Sequence, residues 1–376
     1  MITSIREKVL AGKRISEEDA LHLFESDDIF SLGSLASHVA HRKNGKKAFY
    51  VRNRHINPTN ICVNRCKFCA FSRSKGQEGA FELTIEDIID KLGRGKREEG
   101  KGKDSRKAAR PENRQADLGF TEVHIVGGLH PDWPFEHYLE MLSSIKKTFP
   151  KLHIKAFTAV EIDYFSKISG RSLEDTLGAL KKSGLGSMPG GGAEIFSEGV
   201  RNRLCPEKIS GDRWLKVMET AHRAGIRTNA TMLYGHVEDL SDRVDHLSRL
   251  RSLQDRTKGF QAFIPLAYHP KNTEIAGTYT SGIDDLKTVA VSRIFLDNFD
   301  HIKAYWIMLG EKISQLALLF GADDIDGTII EEKITHSAGG LTGEKLTAEQ
   351  LVNLIRKTGK VAVERDSFYK TVRIYR

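Results

Sequence analysis

From Ala48 onward the chain alternates short runs of β-branched and aromatic residues with longer stretches in which apolar residues return every three or four positions. That alternation is the signal of repeated strand–helix units around a parallel sheet. The pattern predicts strands from Phe49 to Ile56, Glu122 to Val126, Ile154 to Thr158, Ser187 to Met188, Thr228 to Leu233, Gly259 to Pro265 and His301 to Met308. Helical periods fall between them, from Phe135 to Thr148, Leu173 to Ser183, Gly211 to Ala224 and Asp242 to Gln254. The expected fold class is α/β, a complete or partly open β/α barrel whose active face is built by the loops after the strands.

The flanks read differently. Residues 1–46 are polar and helical, with Ser16-Glu17-Glu18-Asp19 resembling a capped helix start and Ala20, Leu21 and Phe24 on one face. They predict a cap on a barrel core spanning 47–310, and 311–376 predicts an α/β extension with helices from Lys312 to Phe320 and Thr347 to Lys357. A length of 376 residues at 39% hydrophobic content suffices for a sizeable core. No apolar run approaches the roughly 20 residues that span a bilayer, so a cytoplasmic location without a membrane partner is expected. The net charge of +8 is local: between Lys91 and Gln115 ten Lys or Arg oppose four Asp or Glu, a net of +6, leaving +2 elsewhere. This basic insertion, 91–117, has no aromatic residue between Lys91 and Gln115 to stack bases. It reads as a solvated loop, and no nucleic-acid partner is expected.

Chemistry concentrates after the first predicted strand, where Cys62, Cys66 and Cys69 fall within eight residues as C-x-x-x-C-x-x-C. Three thiolates on one loop can hold three irons of a cubane cluster and leave the fourth open to a small molecule. A structural zinc wants four ligands, a ferredoxin wants a fourth nearby cysteine, and Cys205 stands alone far along the chain. A disulfide framework fits the clustering poorly. After the second strand, Gly127-Gly128-Leu129-His130-Pro131 permits either close ligand approach or a tight turn. After the next two stand Thr158-Ala159-Val160-Glu161 and Pro189-Gly190-Gly191-Gly192-Ala193-Glu194. The latter lacks the Gly-Lys-Ser/Thr of a phosphate loop and the spacing of a dinucleotide fingerprint. Glu161 and Glu194 at a barrel mouth can accept from ribose hydroxyls or an ammonium, or simply sit at helix N-termini. His236-Val237-Glu238 supplies two metal-capable groups without a third, so His236 reads as substrate-facing or structural. In Gly259 to Leu266 strand alternation turns Gln261 inward along an apolar wall, which suits an aromatic substrate and an ordinary core alike.

The cysteine spacing, with Phe68 and Phe71 beside it, resembles the radical S-adenosylmethionine (SAM) superfamily. That resemblance implies a 4Fe–4S cluster on Cys62, Cys66 and Cys69 and SAM as co-substrate, held by Phe68, Gly127, Gly128, Glu161 and Glu194. His55-Ile56-Asn57-Pro58-Thr59-Asn60, the Gly127 to Pro131 run, Gly190 to Glu194, Tyr234-Gly235-His236 and Asp326-Gly327-Thr328 extend it further. Together they resemble the aminofutalosine synthases of the futalosine route to menaquinone. What this implies is addition of a 5′-deoxyadenosyl radical to 3-[(1-carboxyvinyl)oxy]benzoate, with rearrangement and decarboxylation to 6-amino-6-deoxyfutalosine, fed by an external donor such as flavodoxin or ferredoxin. His236 and Glu161 are then the catalytic candidates; His130, Arg73, Arg201, Gln261 and Arg293 are candidates to bind substrate, since two carboxylates call for donors and Arg fits them best. The related cyclic dehypoxanthinyl futalosine synthase and the deazaflavin-forming synthases share these elements. An RNA-modifying enzyme and a non-enzymatic iron–sulfur redox protein are the readings from other classes, and the oligomeric state stays open.

Overall fold

The computed structural model describes residues 2–93, 118–329, 332–343 and 345–376; the expected basic insertion lies outside them from residue 94 on. The described strands, in chain order, are β1 (Lys47–Val51), β2 (Asn53–Ile56), β3 (Glu122–Ile125), β4 (His153–Ala156), β5 (Ser187–Met188), β6 (Arg227–Tyr234), β7 (Phe260–Ala267), β8 (His301–Ile302), β9 (Asp324–Gly327), β10 (Val361–Arg365) and β11 (Thr371–Tyr375). Strands β2 to β8 form one parallel sheet in sequence order. Helices such as Phe135–Thr148, Gly211–Arg223 and Leu240–Thr257 return the chain between them. The α/β barrel class is as expected.

Two predicted strands change. The run from Phe49 to Ile56 breaks at Arg52: β1 pairs with β10 and β9 in a second sheet ordered β11-β10-β1-β9, whereas β2 pairs with β3. The run from His301 to Met308 shortens to β8, because Trp306–Ala317 is helical and the Trp306 indole is buried, donating to Gly327 O at 2.9 Å. Strand β9 links the two ends of the large sheet. Asp324 bridges to Lys303 beyond β8, and the Thr328 hydroxyl donates to Asn53 O at 3.0 Å.

The N-terminal helices Glu17–Glu25 and Ile29–Asn44 pack outside the barrel, the first against Leu240–Thr257 and both against Gly282–Phe295, and Ile2–Leu10 packs on these two helices. Ser16 and Asp19 close a reciprocal capping box, with Asp19 N donating to Ser16 Oγ at 3.1 Å and Ser16 N to Asp19 Oδ2 at 3.0 Å. On the outer face of the sheet Val123, Ile125 and Ile154 are buried in the apolar core. On the inner face, alternate positions of the same strands carry Asn53, His55, Glu122, His124 and Lys155, because successive side chains point to opposite faces. Among the described residues no helix is long and apolar enough to cross a membrane.

Candidate active site

One cavity of about 340 Å³ runs from the cysteine loop down into the barrel. The loop after β2 is held by its asparagines: Asn57 Nδ2 donates to Val126 O at 2.8 Å, while Asn60 donates to Gly79 O at 2.9 Å and accepts from Phe81 N at 2.8 Å. The return arm closes it through Cys62 N to Arg73 O at 3.0 Å and Arg73 N to Asn60 O at 2.8 Å. It also lies directly on the glycine pair. Gly128 N donates to Thr59 O at 2.9 Å, and a Cβ on Gly128 would meet Ile61 O at 2.1 Å. Only glycine allows the two loops this approach.

Cys62, Cys66 and Cys69 all line the cavity, Cys66 buried and the others half-buried. Burial pushes the Cys62 thiol up, and a hydrogen bond with Cys205 together with burial raises Cys66. Cys205, solitary in sequence, is thus folded against the loop, where Lys67 N donates to Leu204 O at 2.8 Å. Among the described residues no three His, Cys, Asp or Glu side chains converge as a single ion requires. Three soft thiols on one cavity wall suit a multi-iron group, and binding it must release protons.

Around the loop stand the two expected carboxylates. Glu161 heads the helix Ala159–Ser169: Thr158 N donates to its Oε2 at 2.7 Å, Gly127 N to its Oε1 at 3.3 Å, and Glu161 N to Thr158 Oγ1 at 3.3 Å. Burial nevertheless pushes the acid up to about 7. Glu194 is paired with Lys208 at 2.5 Å; burial raises its carboxyl, the ammonium more than offsets this, and the net shift is downward. Lys208 also sits 4.9 Å over the Phe68 ring, joining three cavity-lining residues. Nothing in its spacing marks Lys208 in the sequence.

The remaining candidates lie off the main cavity wall. His236 is enclosed in its own turn, Nε2 on Leu233 O at 3.0 Å and Nδ1 near Glu238 Oε2 at 2.8 Å. His130 bonds Glu82 at 2.8 Å and stacks on Trp133. Arg201 is buried and donates to Ala193 O at 2.6 Å and Ile195 O at 3.1 Å, bracing the glycine run from behind. Arg293 is buried against Asp323 and Gly321 O, and Arg73 donates to Ala70 O and Ser72 O of its own loop. Gln261 sits at the entry end of β7, where Nε2 donates to Ser367 O at 2.7 Å. Its height along the strand, at the opposite end from the cysteine loop, keeps it from that loop.

Sequence reasoning missed the polar floor. Lys155 pairs with Glu122 at 2.8 Å and Lys303 with Asp326 at 2.7 Å; His55 and His124 lie beside them, and Tyr268, His269 and Tyr305 line the wall. The signal was present as polar residues at every second position, Asn53 and His55, Glu122 and His124, His153 and Lys155, His301 and Lys303.

Residues 56–250 match the radical SAM superfamily and 257–375 the CofH/MqnC C-terminal region. The chain belongs to the radical SAM superfamily and is an enzyme whose cofactors are a 4Fe–4S cluster and SAM. In particular, it is 44% identical over 376 residues to an aminodeoxyfutalosine synthase of Thermus thermophilus, covering 99% of this chain and 96% of the relative. The corresponding Streptomyces coelicolor synthase is 43% identical, with 99% and 94% covered. A 5-amino-6-(D-ribitylamino)uracil–L-tyrosine 4-hydroxyphenyl transferase of Methanopyrus kandleri is 40% identical, with 90% and 89% covered. The motif resemblance to the aminofutalosine synthases is borne out. Among solved structures, the FeFe-hydrogenase maturase HydG from Carboxydothermus hydrogenoformans superposes with a TM-score of 0.72 at 17% identity, covering 98% and 80%. Methylornithine synthase (PylB) gives 0.71 at 17%, covering 95% and 96%. Both show the fold alone.

Proposed function

We propose that this enzyme joins the adenosyl carbon of SAM to the enol double bond of 3-[(1-carboxyvinyl)oxy]benzoate, with aryl rearrangement and loss of a carboxylate as carbon dioxide, giving 6-amino-6-deoxyfutalosine. The observation that carries this reading is a single cavity with three thiols at its upper end, apolar walls at Val126, Ile264, Leu266 and Met308, and buried lysines below. When bound, the cluster supplies one electron to cleave the sulfonium of SAM, chemistry that belongs to the cofactor. An external carrier such as flavodoxin or ferredoxin in the cytoplasm provides that electron; methionine leaves as the adenosyl radical forms, and after loss of carbon dioxide the product radical gives up one electron and one proton, so no net electron is consumed.

The chain's own part is placement. Cys62, Cys66 and Cys69 would hold the cluster, and the glycine pair, Glu161, Glu194 and Phe68 would hold SAM along the upper wall. The apolar walls keep water from a carbon-centred radical and align the aromatic ring beneath it, so geometry lowers the barrier. The Methanopyrus relative, named for tyrosine and a ribitylaminouracil, motivates one competing reading. Anaerobic turnover of reconstituted protein with each substrate set decides: the account expects an adenosyl–benzoate adduct and no uracil adduct, and the reverse result would overturn it.

A further inference from the structure

Beneath the glycine pair, three neighbouring strands present nitrogen-bearing side chains at one level. His55 of β2 is the register partner of His124 of β3, which is the partner of Lys155 of β4. All three line the cavity. A strand rises roughly 3.3 Å per residue, so this row lies about 10 Å below Gly127.

The row is incomplete in a specific way. The His55 and His124 rings lie 4.6 Å apart, and the Nε2 nitrogen of each has no hydrogen-bond partner among the described residues. Glu122 Oε2 is likewise unpartnered, although its other oxygen holds Lys155 at 2.8 Å. Buried polar groups are normally satisfied, so orphaned nitrogens grouped on a cavity wall call for something that enters the cavity. Burial lowers both imidazoles, which keeps them neutral, and each nearby lysine already has a carboxylate partner. The floor therefore offers neutral donors backed by two ammonium groups, without a large excess of fixed positive charge. Glu122 and Asp326 neutralise the two lysines, which disfavours a multiply charged anion such as phosphate. Apolar walls directly above accept a planar ring.

We propose that the His55–His124–Lys155 row seats the ring carboxylate of an aromatic acid, holding the acid with its reactive tail toward the cysteine loop. The identity of that acid rests on the reading under Proposed function; the row itself makes a separable claim. The two histidine Nε2–H groups donate to the carboxylate oxygens, and the Lys155–Glu122 pair closes the row beside them.

The test is anaerobic calorimetry on cluster-loaded protein with SAM but no reductant, so that binding is read without turnover. The ligands are 3-[(1-carboxyvinyl)oxy]benzoate and 2-phenoxyacrylate, which lacks only the ring carboxylate. His55→Leu and His124→Leu should each weaken binding of the benzoate about tenfold, as expected for one lost bond to a charged group. Binding of 2-phenoxyacrylate and of SAM should change by less than about twofold, and His124→Gln, which keeps a donor, should recover part of the loss. Equal losses for both ligands, no loss for the benzoate, or no binding of the benzoate to the unaltered protein would each overturn the row. Row-dependent binding with no adduct once reductant is added would instead sink the synthase reading and leave the row standing.

Discussion

Both carboxylate oxygens of Glu161 accept from backbone N–H groups, yet burial still pushes the acid up to about 7 from 4.5. Its folded-state value lies above the unfolded one, so the folded protein binds more protons between those values. The contribution to stability is complete below about pH 4.5 and is lost as pH rises through about 7, a change of about 3 kcal/mol by the usual conversion. Glu161→Gln keeps an acceptor for the capping box but cannot ionise. Thermal unfolding between pH 4.5 and 8 should show a decline in the parent that the variant lacks; identical slopes would remove the assignment. At this scale the sequence was informative where spacing alone defines chemistry, as in the three cysteines. His130, Arg201 and Arg293 were picked by residue type and Gln261 by strand alternation, and neither reports where a side chain ends up. Arg201 and Arg293 serve mainly backbone carbonyls, and strand alternation cannot say at which end of β7 Gln261 sits.

Elements carry the cross-strand pairs of the barrel interior. Lys155 on β4 and Glu122 on β3 are both buried and 2.8 Å apart. Removing one partner of such a pair leaves an uncompensated buried charge, at a cost of about 3–5 kcal/mol. Lys155→Met should lower stability by that amount in denaturant unfolding, and adding Glu122→Gln should recover most of it; equal losses in the single and double variants would contradict the pairing. Strands such as β3 and β4 were legible because their outer residues, Val123, Ile125 and Ile154, are apolar. The break at Arg52 was not, because period-two alternation reports which face a residue occupies and not which strand lies beside it. The end of β8 failed for another reason: a short aromatic run is compatible with strand or helix, and the buried Trp306 belongs to the helix. The polar floor could have been found from the same alternation by asking which strands are polar on their inner face.

For the whole molecule, the arrangement matters because one cavity joins a thiol loop at the mouth of the barrel, which the sequence marked, to an ionised layer within it, which the sequence reading missed. In the proposed reaction the adenosyl group generated at the first is captured by an acid held at the second. Mass spectrometry of an anaerobic reaction containing reconstituted protein, reductant, 3-[(1-carboxyvinyl)oxy]benzoate and SAM labelled with carbon-13 in its ribose tests this directly. The label is expected in a product joining adenosyl and benzoyl groups and lacking one carboxylate. Label confined to free 5′-deoxyadenosine, with the benzoate recovered unchanged, would contradict it.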